Sequence, residues 1–170
     1  MLETSRLVLR EVTADDMDLL IALRVDPEVR RFLGGPMSLD EAKSLAELSV
    51  VYPLGKFVAE RRDNHESIGL VLLYPGHGGT EISYQFLPSS WGQGFAGEAV
   101  RCVLDHAAGS DGISEVIAVT QTANERSCRL LDRLGLSAAE QFEEFGEQQT
   151  RYITSWDRSA ARQSGCSLGA

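Results

Sequence analysis

The clearest chemical signal in the sequence is a glycine-rich segment over residues 92–97, which reads Gly-Gln-Gly-Phe-Ala-Gly. It lies between a predicted strand and a predicted helix. Small residues leave the backbone N–H groups of such a segment accessible, and the N-terminus of a helix carries a partial positive charge. The segment therefore predicts a site where backbone amides hold an anionic group such as a diphosphate.

The same six residues match the Gly-x-Gly-x-x-Gly fingerprint of dinucleotide-binding folds, but their surroundings do not. That fingerprint needs a parallel βαβ unit and an acidic residue at the end of the next strand. Here the preceding strands have the pattern of hairpins, and the next strand ends in Thr120-Gln121. A P-loop is also excluded, because no Lys-Ser or Lys-Thr follows the glycines. What remains is a diphosphate site without a nucleotide-binding fold.

The spacing of apolar residues places this segment in an α+β chain. Helical spacing and capping signals predict helices over about 13–24, 27–33, 38–50, 96–109 and 124–134. Short extended runs predict strands over 7–9, 57–60, 68–73, 82–87, 115–119, 138–144 and 151–156. The strands over 57–60, 68–73 and 82–87 are joined by turn-rich pieces, so we expect them to pair as antiparallel hairpins.

Composition fits one globular domain in a reducing compartment. The chain has 170 residues, 43% hydrophobic and 24% charged, which is typical of globular proteins. Its longest uncharged apolar run, 68–74, is far shorter than the roughly 20 residues that cross a bilayer. The N-terminus lacks the apolar centre of a signal peptide, and the three cysteines indicate neither a disulfide framework nor a zinc site. We expect one domain over 1–157, a frayed tail over 158–170 and a cytoplasmic location.

The net charge of the protein limits the classes of partner that we expect it to bind. The formal net charge of −9 opposes attraction to nucleic acid or to an anionic membrane, since both rely on clustered Lys and Arg. It suits a cationic partner, although an acidic surface also serves solubility alone. His65, His77 and His106 fall in two turns and a helix without ligand spacing, so no metal is expected.

Four segments, taken in order, resemble one protein family. They are Thr-Ser-Arg-Leu-Val-Leu-Arg at 4–10, Trp-Gly-Gln-Gly-Phe-Ala-Gly-Glu-Ala at 91–99, Asn-Glu-Arg-Ser at 124–127 and Leu-Leu-Asp-Arg-Leu-Gly-Leu at 130–136. Residues 2–156 resemble the GNAT superfamily of acyl-CoA-dependent N-acetyltransferases, closest to the branch that contains the ribosomal-protein N-terminal acetyltransferases. The resemblance implies a single mixed, mostly antiparallel, splayed central sheet flanked by helices.

The resemblance also implies acetyl-CoA as co-substrate and a place for it. In the family the diphosphate sits on loop amides, and the pantetheine lies in a wedge between two splayed strands. The unpaired N–H and C=O groups of such strands can bond an amide-bearing ligand as an added strand would. The residues implied in binding are Phe86, Leu87, Gln93, Gly94, Phe95, Ala96, Gly97, Asn124 and Ser127.

The sequence departs from the family pattern at two positions. Trp91 stands where many relatives carry Gln or Arg, although an aromatic residue is frequent there in the branch just named. Leu131 stands seven residues after Asn124, where many relatives have the tyrosine thought to protonate the leaving thiolate. Leucine cannot donate a proton, so that role needs another residue.

Three residues are candidates for the chemistry. Glu81 begins the strand that leads to the glycine loop, where relatives often keep a base; a solvated surface acid is its alternative reading. Ser127 is the preferred proton donor, against a purely local backbone bond. Tyr84 is a further candidate, against a plain core aromatic. Glu81 and Tyr84 point to opposite strand faces unless a bulge intervenes, as it commonly does in this family.

The expected function is transfer of an acetyl group from acetyl-CoA to a primary amine, either a small molecule or a protein N-terminus, by direct attack in a ternary complex. No covalent enzyme intermediate is required, so a nucleophilic role for Cys102 or Cys128 is not expected. The alternative is a module that binds acyl-CoA without catalysis. We expect a monomer or a homodimer, and no motif identifies the acceptor.

Overall fold

An eight-stranded open sheet forms the centre of the protein. The computed structural model describes residues 1–76 and 78–156. The strand order in the sheet is β1-β2-β3-β4-β5-β6-β8-β7. The strands are β1 (Leu2–Glu3), β2 (Leu7–Glu11), β3 (Lys56–Arg61), β4 (Ser67–Gly76), β5 (Gly79–Phe86), β6 (Glu115–Gln121), β7 (Ser137–Glu144) and β8 (Glu147–Ser155).

Helices cover both faces of the sheet. They are α1 (Met17–Val25), α2 (Leu39–Val51), α3 (Phe95–Gly109) and α4 (Glu125–Leu134), with short 3₁₀ turns at 14–16 and 88–90. Each face of the sheet has its own hydrophobic cluster. One joins α3 and α4 to the sheet around Val100 and Leu131, and the other joins α1 and α2 to the opposite face around Leu20 and Val58.

The sheet is antiparallel except where β5 meets β6. Those two strands run parallel and pair at Thr80↔Val116 and Glu81↔Ile117, whereas β6 pairs with β8 along its whole length, 115–121. Within the described residues β5 and β6 therefore separate after Glu81. The result is a wedge that opens toward the C-terminal end of β5, and it confirms the predicted splayed, mostly antiparallel sheet.

Local signals were reliable where a side chain bonds its own helix. The predicted capping boxes are confirmed at Thr13 with Asp16 and at Ser38 with Glu41. The three predicted hairpin strands are also confirmed, with longer bounds. The two-residue strand β1 was not predicted, because Leu2–Glu3 is too short to show a pattern.

The predicted helix over 27–33 is wrong. Residues 27–34 form successive turns, in which the Asp26 side chain accepts hydrogen bonds from the N–H groups of Glu28 and Val29. The Arg30 side chain then donates to the carbonyl of Gly35. The Asp26 bonds are those of a helix N-cap, but the seven residues before the left-handed Gly34 and Gly35 are too few for a helix to propagate.

The predicted tail over 158–170 lies outside the described residues. In the part of the chain that is described, none of the helices combines the length and apolar character needed to cross a membrane.

Candidate active site

The glycine-rich segment forms the start of α3, as predicted. Gly94 is the N-cap residue, in the left-handed conformation with φ 82° and no capping side chain. The N–H of Glu98 donates to the Gly94 carbonyl at 3.1 Å. The amides of Phe95, Ala96 and Gly97 precede that first helical bond, so they have no acceptor within the helix. Uncapped amides at a helix start are an arrangement that suits an anion.

The side chains of this segment point elsewhere. Phe95 is buried, 5% exposed, beneath the guanidinium groups of Arg6 and Arg61 at 4.4 and 5.4 Å from its ring centre. Gly97 faces α4 at Leu130. The Gln93 side chain donates to the carbonyl of Ser89. The segment therefore presents its backbone, rather than its side chains, at the start of α3.

The wedge exposes the backbone of β5. The Leu87 N–H donates to the Ile68 carbonyl of β4 at 2.9 Å. Peptide groups alternate in direction along a strand, so those of Tyr84 and Phe86 point away from β4 and into the wedge. The Phe86 carbonyl accepts there from the indole N–H of Trp91 at 2.8 Å.

Leu87 itself faces away from the wedge. Besides its bond to Ile68, its carbonyl accepts from the N–H and the hydroxyl of Ser90, and its side chain packs with the α1–α2 cluster. Leu87 thus holds the turn before α3 in place, and of the two predicted strand residues Phe86 is the one whose peptide group reaches the wedge.

A hydroxyl pair joins β5, one wall of the wedge, to the start of α4, which follows β6. The Tyr84 hydroxyl on β5 and the Ser127 hydroxyl in the first turn of α4 lie 2.7 Å apart. Burial raises the pKa of Tyr84 to about 12, against the opposing effect of its hydrogen bond to Ser127. The phenol is therefore protonated at neutral pH. Asn124 caps α4 through a hydrogen bond from the Ser127 N–H, as predicted.

Leu131 lies behind this pair, 1% exposed, in the core between α4 and the sheet. Sequence reasoning missed Tyr152 on β8, which is 5% exposed. Burial and a hydrogen bond with Cys128 raise the pKa of Tyr152 to about 12. Tyr152 and Cys128 thus border Tyr84 and Ser127 on the same side of the sheet.

Glu81 is not part of that group. The pairing of β4 with β5 is continuous from Gly69↔Phe86 to Gly76↔Gly79, so the bulge expected between Glu81 and Tyr84 is missing there, and the two side chains lie on opposite faces. The Glu81 carboxylate leans over Gly76 and accepts a hydrogen bond from the Tyr74 hydroxyl at 3.1 Å.

Trp91 connects the starts of α3 and α4. The Arg126 guanidinium, from the first turn of α4, lies 5.1 Å from the centre of the Trp91 ring. A cation therefore stands beside the position where many relatives carry a polar or cationic side chain. No local signal revealed this contact, because the two residues belong to different elements.

Within residues 1–76 and 78–156 no group of three or more His, Cys, Asp or Glu side chains is placed to hold a metal ion.

Comparison with known proteins identifies the family. Residues 6–137 match the family model of the acetyltransferase (GNAT) domain. An N-acetyltransferase of Bacillus subtilis (strain 168) named YoaA is 34% identical over 143 residues, which cover 79% of this chain and 81% of YoaA. The chain belongs to the GNAT acetyltransferase family. It is accordingly an enzyme that transfers acetyl groups from acetyl-CoA to amines, as predicted.

Solved structures agree on the fold. A GNAT-family acetyltransferase from Bacillus anthracis aligns with a TM-score of 0.82 at 17% identity, over 91% of this chain and 97% of that one. The spermidine N-acetyltransferase of Vibrio cholerae, solved with CoA and spermine, aligns with a TM-score of 0.76 at 21% identity, over 89% and 96% of the two chains. At these identities the likeness concerns the fold alone.

Proposed function

We propose that this GNAT enzyme binds acetyl-CoA between the start of α3 and the β5–β6 wedge and acetylates a small cationic amine. The observation that carries the proposal is the separation of β5 from β6 after Glu81, directly beside a helix start that no side chain caps. The amides of Phe95, Ala96 and Gly97 suit a diphosphate, and the peptide groups of Tyr84 and Phe86 suit an extended chain that carries amides. These features fit coenzyme A.

Acetyl-CoA supplies a thioester whose carbonyl carbon accepts a nucleophile and whose sulfur leaves as a thiolate. The hydroxyl pair of Tyr84 and Ser127 provides protonated oxygen atoms on the wall of the wedge, and in this proposal it delivers the proton that the sulfur takes up. Tyr84 and Ser127 thus take over protonation of the leaving thiolate, which the side chain of Leu131 cannot perform.

In this proposal Glu81 performs the other proton transfer, which removes a proton from the acceptor amine. An amine is cationic at neutral pH and must lose a proton before it attacks. A carboxylate at the point where β5 and β6 part attracts an ammonium group and accepts its proton, directly or through water. Because Glu81 and Tyr84 occupy opposite faces of β5, the two proton transfers take place on separate sides of the strand.

A cationic acceptor is supported by charge. The net charge is −9, and such a surface attracts positive ligands. The Vibrio cholerae neighbour is named for a polyamine, which agrees with this class. A protein N-terminus as acceptor, the finer place in the ribosomal-protein branch, the cytoplasmic location and the oligomeric state stay predictions from the sequence.

Calorimetry and a thiol-release assay test the proposal together. We expect the full-length protein to bind CoA, and to release free thiol from acetyl-CoA faster with polyamines than with neutral amino compounds or N-terminal peptides. Preference for a peptide would move the acceptor to a protein N-terminus. Binding of CoA with no thiol release across the panel would favour the non-catalytic module, and absence of CoA binding would contradict the site itself.

A further inference from the structure

The N-terminal segment of the chain is fastened to the start of α3 by a group of hydrogen bonds that we call the N-terminal clasp. Its members are Thr4, Ser5, Arg6, Gln93 and Glu98. The Glu98 carboxylate accepts from the hydroxyls of Thr4 and Ser5 at 2.5 and 3.0 Å and from the Arg6 N–H at 2.9 Å. The Arg6 guanidinium binds the second Glu98 oxygen at 2.7 Å.

Arg6 also reaches the loop backbone. Its Nη1 donates to the Gln93 carbonyl at 3.0 Å, while the guanidinium rests 4.4 Å above the Phe95 ring. Glu98 holds the Nε and Nη2 side of the Arg6 guanidinium, and the contact with the Phe95 ring fixes the plane of that group. Nη1 is therefore held on one atom of the diphosphate loop, the Gln93 carbonyl oxygen.

We propose that Arg6 is a positioning residue for coenzyme binding, which holds the peptide between Gln93 and Gly94 in the orientation that turns the Gly94 N–H toward the anion. In a trans peptide the carbonyl and the N–H point in opposite directions, and none of the described peptide bonds is cis. With the carbonyl drawn to Arg6, the Gly94 N–H points away from the clasp.

The loop needs such a restraint because glycines flank it. Gly92 and Gly94 have φ values of 74° and 82°, and glycine crosses between backbone regions with little steric hindrance. Without Arg6 the peptide between Gln93 and Gly94 is free to rotate. Rotation would place a carbonyl oxygen, with its negative partial charge, where the amide should meet the diphosphate.

Direct attraction between the charge of Arg6 and the diphosphate should matter less than the orientation of the loop. Its guanidinium is paired with Glu98 at 2.7 Å. Burial raises the pKa of Glu98, but hydrogen bonds from Thr4, Arg6 and Ser5 outweigh it and keep the pKa below its ordinary value. The carboxylate is therefore ionised at neutral pH and offsets the charge of Arg6. Orientation of the loop, rather than attraction, is the effect to expect.

The inference rests on the proposed coenzyme site, and it is tested with Arg6→Lys and Arg6→Gln. Neither side chain spans Glu98 and the Gln93 carbonyl as a guanidinium does. Both variants should weaken CoA binding in calorimetry about 3- to 10-fold, the worth of roughly one hydrogen bond. Turnover of acetyl-pantetheine, which lacks the diphosphate, should stay at the wild-type level. Arg101→Gln is the matched control, because Arg101 also lies on α3 but donates to the Arg133 carbonyl of α4 and is not a member of the clasp.

Two results with the variants would overturn the inference. Restoration of binding by lysine would show that charge suffices and overturn the inference, as would an equal loss of acetyl-pantetheine turnover, which marks a general structural role. Amide hydrogen exchange on the wild-type protein is independent of any variant's folding. Added CoA should slow exchange of the amide protons of both Gly94 and Ala96. If exchange slowed at Ala96 but not at Gly94, the inference would be overturned. If wild-type protein does not bind CoA, the proposed site fails as well.

Discussion

The hydroxyl oxygens of Tyr84 and Ser127 lie 2.7 Å apart although the residues are 43 positions apart in the chain. One belongs to β5 and the other to the first turn of α4, so the hydrogen bond ties the start of α4 to the strand that lines the wedge. The pKa of Tyr84, raised to about 12 mainly by burial, keeps the pair protonated over the range in which enzymes of this kind work.

Removal of either hydroxyl should slow the acetyl transfer step. We expect Ser127→Ala and Tyr84→Phe each to lower kcat by about 10- to 100-fold, toward the low end of a general acid's worth because water can substitute. The Kd for acetyl-CoA should change little, since neither variant touches the α3 amides. Steady-state thiol release at saturating substrates, with calorimetry for binding, measures both quantities.

The double variant tells whether the hydroxyls act as one unit. If they do, Tyr84→Phe with Ser127→Ala should lose no more activity than the worse single variant. Tyr152→Phe is the comparison for loss of a buried hydroxyl in the same neighbourhood, because Tyr152 is not a partner in the Tyr84–Ser127 hydrogen bond. Unchanged kcat in both single variants, with chemistry shown to limit the rate, would remove the pair from the mechanism.

The sequence predicted the parts of this site that depend on near neighbours. The glycine segment and the Asn124 cap are signals within a few residues, and each was found. The contacts that complete the site join distant residues: Arg6 and Glu98 are 92 positions apart, and no local pattern records their pairing. The wrong helix over 27–33 has a local cause, since the Asp26 cap is present but the segment is too short to propagate a helix before Gly34 and Gly35.

A negative charge beside the α3 amides should weaken coenzyme binding without unfolding the protein. Ala96 is the second residue of α3, where an acidic side chain favours the helix through its dipole. Ala96 is also half-buried against the α3–α4 cluster, so the extra bulk is a cost that Ala96→Glu and Ala96→Gln share. The charge of the Glu variant alone should raise the Kd for acetyl-CoA by about 10-fold or more through repulsion of the diphosphate. Ala96→Gln has the same size without the charge. Equal affinities of the Glu and Gln variants in calorimetry would place the diphosphate elsewhere.

Acid should destabilise the protein through Asp16. This carboxylate is 3% exposed and binds Arg10 at 2.8 Å. Burial alone raises the pKa of Asp16, but hydrogen bonds from Arg10 and Thr13 outweigh it and hold the pKa below its ordinary value of 3.8. The unfolded chain then binds protons more readily than the folded one, so this stability is present above about pH 4 and is lost as the pH falls further.

Asp16→Asn should remove that contribution. We expect a loss of about 3 kcal/mol in the free energy of unfolding at pH 7, at the low end for a broken buried pair because Arg10 keeps Glu60 as a partner. The difference from wild type should shrink below pH 4 in urea titrations. Asp15→Asn, on an exposed neighbour, should stay within about 0.5 kcal/mol at every pH. A constant deficit for Asp16→Asn across pH would contradict the ionic origin.

Glu81 is the first residue to test as the base that deprotonates the acceptor. Glu81→Gln keeps the shape and removes both charge and basicity, so kcat/KM should fall most at low pH, where free amine is scarce, and recover in part as the pH nears the pKa of the amine. Tyr74→Phe is the matched control, because it removes the hydrogen bond to Glu81 and leaves the carboxylate. A uniform loss across pH would make Glu81 a binding group for the ammonium. No loss at any pH would return it to an ordinary surface carboxylate, with water left as the base.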